Sequence, residues 1–212
     1  MAAEAGLRER KKQKTRQAIF DTARRLFGER RFEDVTVAEI ARAADVSEVT
    51  VFNYFPTKED LFYGGMQFFE EDLLEAVRSR PRGESAIRAF RRRLLQGTEA
   101  LGSKERVAAI TQAGDTVAAS PSLVAREREI VERYTHRLAD LLAADTRSEP
   151  GDVEPMAAAA AMMGAHRAMV DYVRRRVSAG RKGPALVEDA RAQIRRGFAR
   201  LERGLDGYAA KR

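Results

Sequence analysis

The chain has 212 residues, 44% of them hydrophobic, which suffices for one mid-sized domain or two small ones and excludes wholesale disorder. It contains no cysteine, so disulfides, thiolate metal sites and thiol nucleophiles are excluded together, as a reducing cytoplasm allows. The formal net charge is +7, but residues 1–60 carry 12 Lys/Arg against 11 Asp/Glu while residues 160–212 carry 13 against 5, so the basic excess lies in the C-terminal quarter.

No segment approaches the ~18 uninterrupted apolar residues of a membrane span. The opening MAAEAGLRERKKQK also lacks the apolar stretch of a secretory signal. The expectation is a soluble, cytoplasmic protein that does not engage a membrane. Apolar and polar residues nowhere alternate long enough for a strand, whereas helical spacing recurs throughout. An all-α fold of about nine helices follows. Residues 1–10 are expected to form a flexible basic arm running into a cluster of Arg8, Arg10, Lys11, Lys12, Lys14 and Arg16, opposed only by Glu4 and Glu9. Such a cluster suits phosphate binding and equally suits a solvated tail.

The first helix is predicted from about Lys11 to Glu29, with Ile19, Ala23, Leu26 and Phe27 on its apolar face and Phe20 beside it. Thr36 and Glu39 form a capping box that opens a short second helix, whose Val37, Ile40, Ala41 and Ala44 repeat at i, i+3, i+4, i+7. A tight turn, Ala44-Asp-Val-Ser47, leads to Ser47 as the cap of a third helix over Glu48 to about Tyr54, which Pro56 ends. Thr57, with Asp60 at the capping-box position, starts a long fourth helix. Two short helices joined by a tight turn and packed on a longer one are the ingredients of a helix-turn-helix, here over about 37–56. Ile40, Ala41, Val46, Val51 and Phe55 close its core, leaving Glu48, Val49, Thr50, Phe52, Asn53 and Tyr54 to point outwards. The bland reading of the two aromatics, that they pack on a neighbouring helix, leaves the caps and the polar exposed set unexplained.

The segments Thr36-Val-Ala-Glu-Ile-Ala41, Ala44-Asp-Val-Ser47 and Thr50-Val-Phe-Asn-Tyr-Phe-Pro-Thr-Lys-Glu-Asp-Leu61 together resemble the DNA-binding signature of the TetR (tetracycline-repressor) family, over about Lys12 to Asp72. The resemblance implies an all-helical homodimer. Its DNA-binding domain over 11–60 holds double-stranded operator DNA, and its C-terminal domain over 61–212 binds a small effector and dimerises. It implies backbone phosphate contacts at Thr36, Thr50, Asn53, Tyr54 and Lys58, and base-facing positions at Glu48, Val49, Thr50 and Phe52. Glu48 can accept from a cytosine amino group, and Val49 and Phe52 can meet thymine methyls. Three positions depart from the family pattern. Arg31 and Asp45 stand where glycine is usual, and a left-handed backbone there would cost arginine ~1 kcal/mol. Phe52 stands in place of a tyrosine.

Beyond Arg80, breaks at Pro81–Gly83, Gly102–Ser103, Ser120–Pro121, Pro150–Pro155 and Gly180–Pro184 divide the chain into helices over about 84–101, 104–119, 122–144, 153–178 and 185–206. Gly64-Gly65 within the fourth helix reads either as a close-packing site or as a soft hinge. Met66, Phe69, Leu73, Phe90, Tyr134, Met162 and His166 are candidates to line an effector pocket, the effector having substantial apolar character. His136 and His166 lie on separate helices without a carboxylate at ligand spacing, so no metal site is expected, nor any other cofactor. Ala165, Met169, Val173, Ile194, Phe198, Leu201 and Leu205 are expected at the dimer interface, as a four-helix bundle with two-fold symmetry.

The sequence thus predicts a DNA-binding transcription regulator, repressing until an effector releases it; activation by the same fold is the alternative. A helical small-molecule-binding or interaction protein without DNA binding is the reading from another class. An enzyme is not expected: P-loop, Rossmann glycine pattern and HExxH are all absent.

Overall fold

The computed structural model describes the backbone of residues 2–205 and 208, and the side chains of these except 2–9 and 66–68. Among the described residues the chain forms nine α-helices and two 3-10 turns, with no strand. No helix among them is long and apolar enough to cross a membrane. The chain divides into two compact units: residues up to Phe68 together with Thr116–Arg126, and Phe69–Asp115 together with the chain from Glu127 onward. The first unit thus takes a segment from the middle of the chain.

In the first unit, α1 (Ala2–Glu29) starts at Ala2 instead of near Lys11. Its N-terminal stretch is rich in Ala, Glu, Arg, Lys and Gln, which are among the best helix formers, so the expected flexible arm is helical backbone. The side chains of Arg8 and Glu9 lie outside the described residues; those of Arg10, Lys11, Lys12 and Lys14 are exposed. A 3-10 turn (Phe32–Asp34), α2 (Val37–Ala43), α3 (Glu48–Tyr54) and α4 (Lys58–Arg78) follow. Arg31 has φ −61° and ψ 146°, an extended conformation open to any residue, so the strain expected there is absent.

Ile19, Ala23 and Phe27 on one face of α1 are buried with Phe32, Val35, Ile40, Ala41, Val51, Phe55 and Leu61. Phe27, Phe32 and Phe62 form a ring cluster with centroids 5.1–6.0 Å apart, and the tilted and edge geometries are those aromatic quadrupoles prefer. Gly64 sits against this packing. A Cβ there would lie 2.7 Å from the Phe20 ring, so the glycine is required by close approach of α1 and α4. At Gly65 the same ring would be 3.2 Å away. The pair is a packing site, and nothing in its geometry calls for a hinge. Thr116–Arg126 closes the unit: the Tyr63 hydroxyl donates to the Leu123 carbonyl at 2.9 Å, and Ser120 donates to Glu33 at 2.6 Å.

The second unit contains the rest of α4, α5 (Ala86–Gly97) with a 3-10 turn (Thr98–Gly102), most of α6 (Lys104–Ala119) and of α7 (Pro121–Thr146), α8 (Glu154–Ser178) and α9 (Gly183–Leu205). Expected boundaries hold to about two residues, except that the helix over 84–101 ends as the 3-10 turn. The α8 helix stops at Gly180, whose φ of +81° lets Gly180 and Arg181 donate back to Val177 and Arg176, a left-handed cap that favours glycine. The stripes of α5 (Ile87, Phe90, Leu94) and α9 (Leu186, Ala190, Ile194, Phe198) bury against each other, Phe198 stacking on Phe90 at 6.0 Å.

Of the residues expected at the dimer interface, Ile194 and Phe198 are 3% and 1% exposed within one subunit, their side chains taken up by its own core. Met169 and Val173 pack against the cluster of Leu101, Val177, Leu186 and Ala190 and stay half-buried. The periodicity identified buried stripes correctly, but periodicity does not distinguish a helix's own core from an interface.

Candidate functional site

The turn between α2 and α3 is built by backbone chemistry that the sequence encodes locally. Asp45 adopts φ +53°, and the amides of Val46 and Asp45 donate to the carbonyls of Ala41 and Arg42, closing α2 with a left-handed cap. Aspartate is one of the few residues that enters this conformation at little cost. Ser47 then caps α3, its hydroxyl accepting from the Thr50 amide at 3.1 Å. At the other end of α2, Thr36 and Glu39 complete the capping box in both directions. The Arg30 guanidinium, at 2.7 Å, and then the Thr36 amide hold the Glu39 carboxyl down to about 2.

Because Val51 and Phe55 anchor α3 inward, its opposite face is fixed outward. Val49 is 70% exposed and Phe52 45%, a large apolar display for so short a helix, and Glu48 and Asn53 are exposed beside them. Thr50 and Tyr54 are half-buried, the Thr50 hydroxyl lying 2.8 Å from that of Ser47. All the residues assigned to base or backbone contact on α3 therefore belong to one short, doubly anchored element.

Two assigned phosphate contacts carry internal duties as well. The Thr36 hydroxyl donates to Glu39 and accepts from its amide, so its main role here is the cap. Lys58 donates to the carbonyls of Phe32 and Val35 at 3.0 and 3.2 Å, with its ammonium 4.2 Å from the centroid of the Phe32 ring. Two of its three donors thus tie the start of α4 to the strand-like link before α2. No local spacing signals this clamp, because its partners lie more than twenty residues away in sequence. Asp60 is a further residue that the sequence showed only as a cap: buried, it accepts from Thr57 and from Arg126 at 2.7 Å.

Residues 19–63 match the family model described as bacterial regulatory proteins, tetR family. Over this stretch the chain carries the pattern of the tetR family's model. It is similar to the HTH-type transcriptional regulator TcmR of Streptomyces glaucescens, at 35% identity over 85 residues, 40% of this chain and 38% of that one. It thus spans well under two thirds of the length of TcmR. Similarity to MftR of Mycobacterium tuberculosis is 29% over 133 residues, 60% of this chain and 67% of that one. The fold is that of NalD, the secondary repressor of the MexAB-OprM multidrug efflux pump in Pseudomonas aeruginosa. The two share a TM-score of 0.53 and 20% identity over 89% of this chain and 96% of that one.

In the second unit, the candidate effector residues fall into two groups. Phe69 and Phe90 flank His166, with ring centroids 5.6 and 6.3 Å from it. His166 is buried, and desolvation, aided by the charge of Arg167, pushes its pKa down to about 4, so the imidazole is neutral near pH 7. Tyr134 belongs to a polar group instead. Its hydroxyl donates to Glu71 at 3.2 Å, Arg137 pairs with the same carboxylate, and burial pushes the phenol up to about 12. Leu73 and Met162 are buried. Met66 lies outside the described side chains.

Sequence reasoning missed two acidic residues in this unit. Glu70 lies on the α4 stripe with Leu73, Leu74 and Val77, and Glu127 on the α7 stripe with Ile130, Tyr134 and Leu138; all are buried. The signal was available: a carboxylate at i, i+3, i+4, i+7 spacing from apolar residues is a buried charge in waiting. Glu127 is held by Arg174 at 2.6 Å and Arg167 at 3.2 Å. Glu70 has no such partner: neither of its oxygens accepts a hydrogen bond among the described residues.

Proposed function

We propose that this TetR-family chain is a sequence-specific DNA-binding transcription regulator, acting as a homodimer and repressing until a small-molecule effector releases it from its operator. The observation that carries the reading is the outward face of α3, where Val49 and Phe52 stand exposed on a helix capped at one end and anchored by Val51 and Phe55. An apolar display of this kind, flanked by Glu48 and Asn53, fits the major groove, where methyl groups and exocyclic amines are read. Arg10, Lys11, Lys12 and Lys14, exposed on α1, supply charge for the backbone. The role is regulation and not turnover. The effector belongs to the second unit, around Phe69, Phe90 and His166 or around Tyr134.

The pairing surface consistent with the packing is the outer faces of α8 and α9. There Ala157, Ala160, Gly164 and Ala168, and Ala192, Gly197 and Ala199, are exposed, with Ala165, Leu201 and Leu205 half-buried at their margins. Small residues permit the close helix approach of a bundle, and a two-fold dimer would present two half-sites about a helical turn, or a multiple of it, apart.

Selection of bound fragments from genomic DNA, followed by titration against single-base variants of the recovered site, tests the reading. Phe52→Ala and Glu48→Ala are expected to change base preference, each by ~1–3 kcal/mol at its own position, without changing thermal stability appreciably. Unchanged preference profiles in both variants would remove α3 as the reading helix. Failure to select any fragment, or binding insensitive to salt, would remove the DNA-binding reading itself.

A further inference from the structure

Glu70 is 1% exposed, and neither carboxylate oxygen has a hydrogen-bond partner among the described residues. Buried polar groups in folded proteins are almost always bonded, and one that is not calls for an explanation. The charges that act on it are Arg133, Glu71, Glu127 and Arg137. The two cations are engaged elsewhere: Arg137 pairs with Glu71, and Arg133 lies 5.6 Å from the centroid of the Tyr134 ring. Glu127 shows that the same interior can satisfy a carboxylate, with two arginines from α8. Glu70 is thus a buried acceptor, on the stripe of Leu73, Leu74 and Val77, with no hydrogen-bond partner among the described residues.

We propose that Glu70 is the anionic anchor for the effector, and that the effector is a lipophilic organic cation with an aromatic body. This deepens the effector reading above and rests on it. The strongest partner for a desolvated carboxylate is an opposite charge brought to it, and the ring of Tyr134 and the apolar residues of the α4 stripe suit the uncharged body of such a molecule. Without the cation, burial pushes the Glu70 carboxyl up to about 8, so it is protonated and neutral near pH 7. Binding then exchanges one charge for another. The carboxylic acid gives its proton to solvent and the resulting carboxylate pairs with the cation, so the net charge of the site is conserved.

Around it, Glu71 is held low by Arg137, the Tyr134 phenol is pushed up to about 12, and Glu127 is ion-paired with Arg167 and Arg174. His166 is already neutral.

The test is calorimetry on the full chain with a panel of permanently charged aromatic ammonium ions, from benzyltrimethylammonium to N-methylacridinium. Each is paired with an uncharged analogue in which carbon replaces the charged nitrogen. At least one cation is expected to bind ten-fold or more tighter than its analogue at pH 8. Its affinity should rise up to about ten-fold between pH 6 and 7, with close to one proton released per cation at pH 7, read from heats in buffers of different ionisation enthalpy. Glu70→Gln is expected to abolish the proton release and the preference for charge while keeping the wild-type affinity for the uncharged analogue, which also reports that the variant is folded. No saturable binding by any cation, or a preference for charge that survives Glu70→Gln, would overturn the proposal. Operator titration separates it from the reading beneath. Cations that bind with proton release but leave operator affinity unchanged would count against the effector role and not against the anchor. Uncharged analogues that release DNA where cations do not bind would do the reverse.

Discussion

Two carboxylates ten residues apart on α4 mark the difference between the two units. Asp60, in the first, is buried and fully engaged by the Thr57 amide and hydroxyl and by Arg126. Glu70, in the second, is as buried and engaged by nothing described. The first unit uses interior polarity to fix a shape; every cap, turn and clamp in it ends on a protein atom. The second holds carboxylates, guanidinium groups and a neutral imidazole inside, and leaves both oxygens of Glu70 without a hydrogen bond among the described residues. A surface proposed to read DNA gains from preorganisation, whereas an interior proposed to take up an effector needs an interaction its free state lacks.

The sharpest way to break this comparison is at Phe198. Phe198→Glu places an unpaired carboxylate where the ring now stacks on Phe90, and is expected to cost more than about 4 kcal/mol, enough to unfold a marginal domain. Gly164→Arg, where a Cβ would meet nothing within 4 Å, should leave the subunit folded and disrupt only pairing. Denaturant unfolding and sedimentation velocity distinguish the two. A folded monomer from Phe198→Glu, or an intact dimer from Gly164→Arg, would move the interface.

The next effect depends on pH. The folded-state pKa of Glu70 is raised, from 4.5 to about 8, so the folded chain binds more protons than the unfolded one across that range. Stability should fall as pH rises through it, by up to roughly 1.4 kcal/mol per unit, and Glu70→Gln should remove this slope. His166 works in the opposite sense. Its pKa falls from 6.5 to about 4, so its contribution is present above 6.5 and is lost as pH drops towards 4. Urea unfolding of wild type and Glu70→Gln from pH 5 to 8.5 isolates the first term. Parallel curves would show that Glu70 is satisfied in solution.

The smallest effect is at the first unit's cap. Thr36→Ala removes one arm of the capping box and should cost ~1 kcal/mol of stability. Because Thr36 is assigned to the DNA backbone, any loss of affinity should be equal across operator variants. Thermal unfolding beside operator titration separates the two contributions, and altered base preference would contradict the assignment.

The first unit was legible because its determinants are local. Thr36 with Glu39, Ser47 with Thr50 and Thr57 with Asp60 are pairs three residues apart, and each forms as the spacing requires. Arg31 misled because a glycine position in a pattern does not itself specify a left-handed backbone; the chain reaches the next turn in extended form. In the second unit the helices were legible and their partners were not. The stripe through Ile194 and Phe198 announces burial, but whether against α5 or another subunit depends on chain folding over a hundred residues. Glu70 is hard to read for a related reason: an apolar stripe does not by itself show that its one carboxylate member is buried with it.

Tyr63, Glu33 and Asp60 find their partners in Leu123, Ser120 and Arg126, on a segment synthesised long after the helix-turn-helix itself. On the ribosome, the first unit therefore emerges with these groups still bonded to water, and it is completed only when the start of α7 has left the exit tunnel. A fragment ending at Phe68 would carry the whole recognition helix and yet lack those three attachments. The same arrangement bears on inheritance: a contiguous cassette moved between genes would bring α2 and α3 but not the segment that braces them. Grafting the specificity of this chain onto another therefore means transferring two separated stretches of sequence together.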